Sequence, residues 1–216
     1  MSDIDSDEEK DQLSELQKLS SKIPRGMFVS GWDDENDLIE TEENPHETQE
    51  KELLWAATED KIEIVEKILN DHPELVNVRD RDGYTPLHKA CYNNNYEMAQ
   101  LLLRFNADIE AQTEMEWTPL HSAAKWNNAK LVALLLQHGA NINALSEGNN
   151  TPLHVATTVS SCRDTLIELF MNDELNPGLL NSSDETAAQI AKRTGLSYAF
   201  FEMVKPGLDP KIGMLD

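Results

Sequence analysis

Positive charge is scarce in this chain. Eighteen Lys and Arg stand against 40 Asp and Glu in 216 residues, a formal net charge of −22. That balance repels nucleic-acid phosphates and anionic lipid headgroups, and it attracts basic surfaces over about 8 Å at physiological salt. Neither direct nucleic-acid binding nor membrane binding is expected, and a protein partner with a basic surface is. Cysteine is nearly absent. Cys91 and Cys162 are too few for a disulfide framework, which points to a reducing compartment. There is no run of about 18 apolar residues, and the start Met-Ser-Asp-Ile-Asp-Ser has neither a basic nor an apolar signal region, which predicts a soluble, non-secreted protein. Lys and Arg form no import cluster, the nearest pair being Lys192 and Arg193. At 24.4 kDa slow passive entry to a nucleus is open, so nucleus and cytoplasm both stand as expected locations.

Catalytic patterns are missing as well. No glycine loop precedes Lys-Ser or Lys-Thr, and there is no G-x-S-x-G, H-E-x-x-H or Cys-x-x-Cys. No catalytic, cofactor-binding or metal-binding residue is expected, and the chain reads as a non-enzyme. Carboxylates are plentiful, but they are densest in residues 1–50, where 16 Asp and Glu face 4 Lys and Arg. With so few core residues this segment cannot offset its ordering entropy, and it reads as a mostly disordered acidic arm. Two islands interrupt it. Leu13, Leu16, Leu19 and Ile23 share one side of a potential helix, and IPRGMFVSGW brings Met27, Phe28, Val29 and Trp32 ahead of Asp33 and Asp34. These islands read equally as a motif that folds on a partner or as a segment that packs on the chain's own first repeat. Ser2, Ser6 and Ser30, each with an acid three residues on, are candidates for acid-directed phosphorylation.

What the chain does have is a repeat. Thr-Pro-Leu-His occurs at Thr85–His88, Thr118–His121 and Thr151–His154, with a period of 33. Thr caps a helix N-terminus through its hydroxyl, and Pro at the first helical position gives up an amide that would be unpaired anyway. Each copy therefore begins a helix. The stretch PLHSAAKWNNAKLVALLLQHGANINA then reads as a short Ala-rich helix, a polar break, a Leu-rich helix and a stop at Gly139. A period of this length means one supersecondary unit stacked on copies of itself.

These stretches, with YTPLHKACYNNNYEMAQLLLRFNADIEA before them and TPLHVATTVSSCRDTLIELF after, resemble the ankyrin repeat. The resemblance implies an all-α solenoid of helix-turn-helix units with β-hairpin-like loops. The expected layout is an arm over 1–50 and a repeat domain over 51–205, divided at about 51–79 (an N-terminal cap), 80–112, 113–145, 146–180 and 181–205 (a C-terminal cap), with a short tail over 206–216. In the first unit Leu54 stands where later copies have His, and before Thr186 the spacing stretches to 35, with a two-residue insertion at or shortly after TTVSSCRD. His88, His121 and His154 recur with the period and read as structural. In the family the motif His bonds loop backbone in its own and the adjacent repeat.

The resemblance also implies where a partner docks: on hairpin tips and on the exposed side of the first helix of each unit. Carried over residue by residue, the tips are Arg81, Asp82, Tyr84, Glu114, Met115, Trp117, Glu147 and Asn150, and the helix positions are Tyr92, Asn93, Lys125 and Trp126. Tyr84 and Trp117 read as hairpin braces or as contacts, whereas Trp126 fills a usually polar, variable place and reads as a contact. The expected function is a non-enzymatic scaffold or adaptor, monomeric on its own, that grips a protein with the acidic arm assisting encounter. Two alternatives stand beside it: an arm that masks the face until displaced, and a substrate-recruiting subunit of an enzyme complex. The whole layout is also similar to that of a small vertebrate protein of the family, which implies a nuclear or nucleocytoplasmic regulator of gene expression acting through protein contacts.

Overall fold

The computed structural model describes residues 44–159, 162–195 and 198–202. The arm's Leu13–Ile23 stripe, the IPRGMFVSGW island, Ser2, Ser6 and Ser30 lie outside these residues, as does the tail over 206–216. Helices come in pairs: α1 (Gln49–Thr58) and α2 (Ile62–Asp71), α3 (Pro86–Tyr92) and α4 (Tyr96–Arg104), α5 (Pro119–Lys125) and α6 (Ala129–Gln137), α7 (Pro152–Thr157) and α8 (Arg163–Phe170), then α9 (Ala187–Thr194) with a final helical stretch over 198–202. Short 3-10 turns at Pro73–Asn77 and Glu147–Asn149 lie in the loops.

The motif chemistry explains why the odd-numbered helices start where they do. Thr85, Thr118 and Thr151 are extended, with ψ of 167°, 164° and 166°, and Pro is the first helical residue. In all three copies the His Nδ1 accepts the Thr amide at 3.2 Å and lies 2.8–2.9 Å from the Thr hydroxyl. This is a capping box with His in the role usually taken by Glu or Gln. Thr186 repeats it with Gln189.

The row α1, α3, α5, α7, α9 forms the inner layer, each helix flanked by the next, and α2, α4, α6, α8 form the outer layer. An inner helix has a neighbour on both sides, so its side chains must be small. Ala90, Cys91, Ala123, Ala124, Ala156 and Thr157 are all fully buried. The outer helices carry Leu at three- and four-residue spacing, and Leu101, Leu102, Leu131, Leu135, Leu166 and Leu169 close the core between the layers. Both cysteines are free and buried.

Among the described residues there is no β-strand, yet the loops close as hairpin-like turns. Asp80, Thr113, Ser146 and Asn181 each donate an amide to the carbonyl four residues on, at 3.0 Å, and a backbone bond joins each tip to the next: Glu114 to Asp82, Glu147 to Met115, Ser182 to Gly148. Each tip has a left-handed residue, Gly83, Glu116, Asn149 and Asp184, and the third has a second in Gly148.

Three periodic side-chain bonds tie unit to unit. His88, His121 and His154 each donate Nε2–H to a carbonyl of the next unit, Trp117, Asn150 and Glu185, at 2.9, 2.9 and 3.1 Å. Asn95 and Asn128 reach back to the end of the preceding inner helix, Asn128 to the Cys91 carbonyl at 2.7 Å. Asn77, Glu110 and Asn143 accept loop amides of the following unit, from Asp108, Asn141 and Asn176.

The stretched repeat spreads its insertion. α4 starts ten residues after α3 and α6 ten after α5, but α8 starts eleven after α7. The second extra residue falls between α8 and Asn176, the counterpart of Asn141. One residue on each side of α8 leaves that helix in register with the outer layer.

Leu134, 3% exposed in α6, sits between the layers. Leu134→Ala is expected to cost about 2–5 kcal/mol in urea unfolding. Unchanged stability would mean that α6 does not pack as described.

Candidate protein-interaction surface

The residues singled out from the sequence fall in two places, separated by the length of a seven-residue inner helix, about 10 Å. Arg81, Asp82, Glu114, Met115 and Glu147 project from the tips before the helix N-termini and are exposed. Tyr92, Asn93, Lys125 and Trp126 gather at the C-terminal ends of α3 and α5.

At the tips, part of the set is committed to holding the hairpins. Tyr84 is half-buried with its ring edge-on to His88 at 5.6 Å, and Trp117, also half-buried, lies 6.1 Å from His121. Asn150 gives its backbone carbonyl to His121 and its side-chain oxygen to Asn181. Lys89, which no sequence motif marks, ties hairpin to helix: its ammonium is 2.6 Å from Asp80 and 5.0 Å from the centre of the Tyr84 ring. Burial, and then the charges of Asp82 and Asp80, hold the Tyr84 phenol above its usual pKa. Lys89 falls in the same register as Ser122 and Val155, so periodicity alone gave no signal for it. Met115 is different: it is 56% exposed.

At the helix ends, Trp126 is the C-cap of α5 and remains 42% exposed. Its ring meets Tyr92 of the preceding unit edge-on, with centroids 4.6 Å apart. Asn93, its counterpart one unit earlier, spends its amide on the Lys89 carbonyl. Lys125 is half-buried beside the pair. A large aromatic surface that is held at one edge and open on its face is what a hot spot requires, because little entropy remains to be lost on binding.

The motif histidines are occupied by structure. Nδ1 accepts a backbone N–H and Nε2 faces a carbonyl, so only the neutral Nε2–H form satisfies both sides. Burial, opposed by the bond to the Trp117 or Asn150 carbonyl, pushes the pKa of His88 and of His121 down to about 4, and burial also lowers that of His154. Cys91, fully buried, has its thiol pKa pushed up. Among the described residues no group of His, Cys, Asp and Glu has metal-holding geometry, and no helix is long and apolar enough to cross a membrane.

Comparison with known proteins agrees with this geometry. The family model described as ankyrin repeats (3 copies) matches residues 37–113, 53–146 and 105–177. The chain is 54% identical over 217 residues to ankyrin repeat domain-containing protein 49 of Drosophila melanogaster, covering all of both chains. The proteins of that name from Bos taurus and Homo sapiens are 47% and 46% identical over 213 residues, 94% of this chain and 90% and 89% of theirs.

The buried neutral histidines set an acid limit on stability. The folded pKa of His88 and His121, about 4, lies below the ordinary 6.5. Their contribution is therefore complete above pH 6.5, falls as the unfolded chain takes up protons below it, and levels off near pH 4. The slope is at most about 1.4 kcal/mol per pH unit for each histidine. Urea midpoints measured between pH 7 and 4.5 should fall, and His121→Gln should flatten the fall. A profile unaffected by that substitution would contradict the buried neutral state.

Proposed function

The chain belongs to the ankyrin repeat family, and from this we infer that it is a non-enzymatic interaction module that grips a protein partner on its inner-helix and tip surface. The observation that carries this is Trp126. It is 42% exposed and fixed edge-on by Tyr92, in a helix row whose other members bury their small residues completely. Met115 and the exposed Arg81, Asp82, Glu114 and Glu147 extend the contact to the tips.

The partner we propose carries a basic surface. Residues 1–50 hold a net −12 and the remainder −10, from a total of −22. Arm and repeats repel one another overall, which favours an arm that helps recruit a basic partner over one that masks the face. The finer role, a regulator of gene expression working through protein contacts in nucleus, cytoplasm or both, rests on the whole-chain resemblance.

Affinity purification with wild type and Trp126→Ala, followed by titration of the partner lost from the variant, tests the site. The unfolding midpoint should barely move and binding should weaken by more than about 1 kcal/mol. Lost stability with intact binding would make Trp126 a packing residue. Removing residues 1–50 should weaken binding, most of all at low salt; tighter binding would favour masking.

A further inference from the structure

The corner of the stack that carries Trp126 differs in charge from the rest of the chain. Lys125 and Trp126 close α5, Lys130 follows across the turn in the first turn of α6, and Arg163 opens α8. The Asn127 side-chain oxygen accepts the Thr165 amide at 3.2 Å, which holds the start of α8 against the turn after Trp126. Over 125–130 and 162–165 the one acid is Asp164. Lys130 and Arg163 are exposed and Lys125 half-buried, and none of the three pairs with a carboxylate among the described residues. The Trp126 ring is held by Tyr92 at 4.6 Å, and its indole N–H donates to nothing among the described residues. Ammonium, guanidinium and indole groups leave the corner rich in unspent donors. The tips have the opposite sign: Asp82, Glu114, Glu116, Glu147 and Asp184 are exposed there against Arg81.

Resting on the reading of Trp126 as a contact, we propose that this corner takes an acidic segment of the partner, with one apolar side chain on the Trp126 face and flanking carboxylates on Lys125, Lys130 and Arg163. Carboxylates supply both the acceptors and the charge that these donors lack, and ionic hydrogen bonds to Lys and Arg are the stronger kind. A basic segment would meet three like charges beside a single acid. The indole gives the segment an apolar surface to cover, which exposed ion pairs alone would not hold. A nucleic acid would bring phosphates to the same donors, but the net charge of −22 and the acidic tips repel a long polyanion. The partner is therefore bipolar: its basic surface faces the tips, and its acidic segment faces Trp126 one inner-helix length away, about 10 Å. Opposite signs at the two ends of one face fix which way round it docks.

The test titrates the full chain with the synthetic peptide acetyl-EELFEE-amide and follows the indole proton–nitrogen-15 NMR signal of Trp126, assigned by Trp126→Phe. At low salt that signal should shift saturably and more than those of Trp55 and Trp117, the shift should shrink as salt is added, and acetyl-KKLFKK-amide should leave it in place. Lys130→Glu with Arg163→Glu should weaken the acidic peptide ~5-fold or more. Both changes put an acid in the first turn of a helix, which the helix dipole favours, so the variant keeps its fold. A Trp126 signal that moves with the basic peptide and not the acidic one, equal binding by the double variant, or an oligo-uridine that shifts it as strongly as the acidic peptide would overturn the proposal. So would a Trp126 signal that moves with salt before any peptide is added, which would seat an acidic segment of the chain itself there. If Trp126→Ala loses its partner while the acidic peptide shifts nothing, the proposal fails and the contact reading stands. If Trp126→Ala loses no partner, that reading fails and the proposal with it.

Discussion

Everything the surface offers depends on one repeated bond, the donation of a buried imidazole Nε2–H to the backbone carbonyl that precedes the next Thr. His88, His121 and His154 each make it, and each is held for it by its own Thr amide on the other ring nitrogen. A neutral hydrogen bond of this kind is worth about 1 kcal/mol net, so its importance is positional. It fixes each hairpin against the inner helix before it, and so sets where Trp117 and Asn150 stand, along with the tips they belong to. The Asn and Glu bonds at the other loops hold the same register from the far side of each unit.

The pattern also explains where the stack ends. A unit can be followed only if it carries forward-reaching groups. The first unit has Leu54 in the His position and begins its helix earlier, with Thr48 as cap, and it reaches its successor through Asn77 instead. The last has Gln189, whose side chain turns back on Thr186, and the unit before it already has Gly178 in the place of the loop acceptor Asn143. Without the imidazole the last unit lacks the bond that ties each earlier motif copy to its successor, and its Ala188 stands where those copies have a buried Leu.

The architecture was legible in the sequence because three in-register copies of a capping motif leave no second fold that satisfies them. The Leu134 face and the two helices per unit followed from periodicity. The Asn77–Glu110–Asn143 ladder did not, since Asn and Glu at one register position look like unrelated polar surface residues until the loop amides are seen to point at them. The brace formed by Lys89 was hidden for the opposite reason: its counterparts are Ser122 and Val155, so nothing repeats. The candidate surface was legible as a set of residues but not as two patches, because a one-dimensional list does not show that tips and helix ends are separated by a helix length. The Tyr92–Trp126 contact is the same case, a pair 34 residues apart that only the stacking brings to 4.6 Å.

The central claim, that a neutral imidazole bridges each unit to the next, is tested most directly by nitrogen-15 NMR of the histidine side chains in the full chain. The His88, His121 and His154 rings are expected to be all in the neutral Nε2–H form at pH 7, each Nε2–H to exchange slowly with solvent, and His88 and His121 to remain neutral at pH 5.5. Titration of His88 or His121 near pH 6.5, or a Nδ1–H form in any of the three, would contradict it.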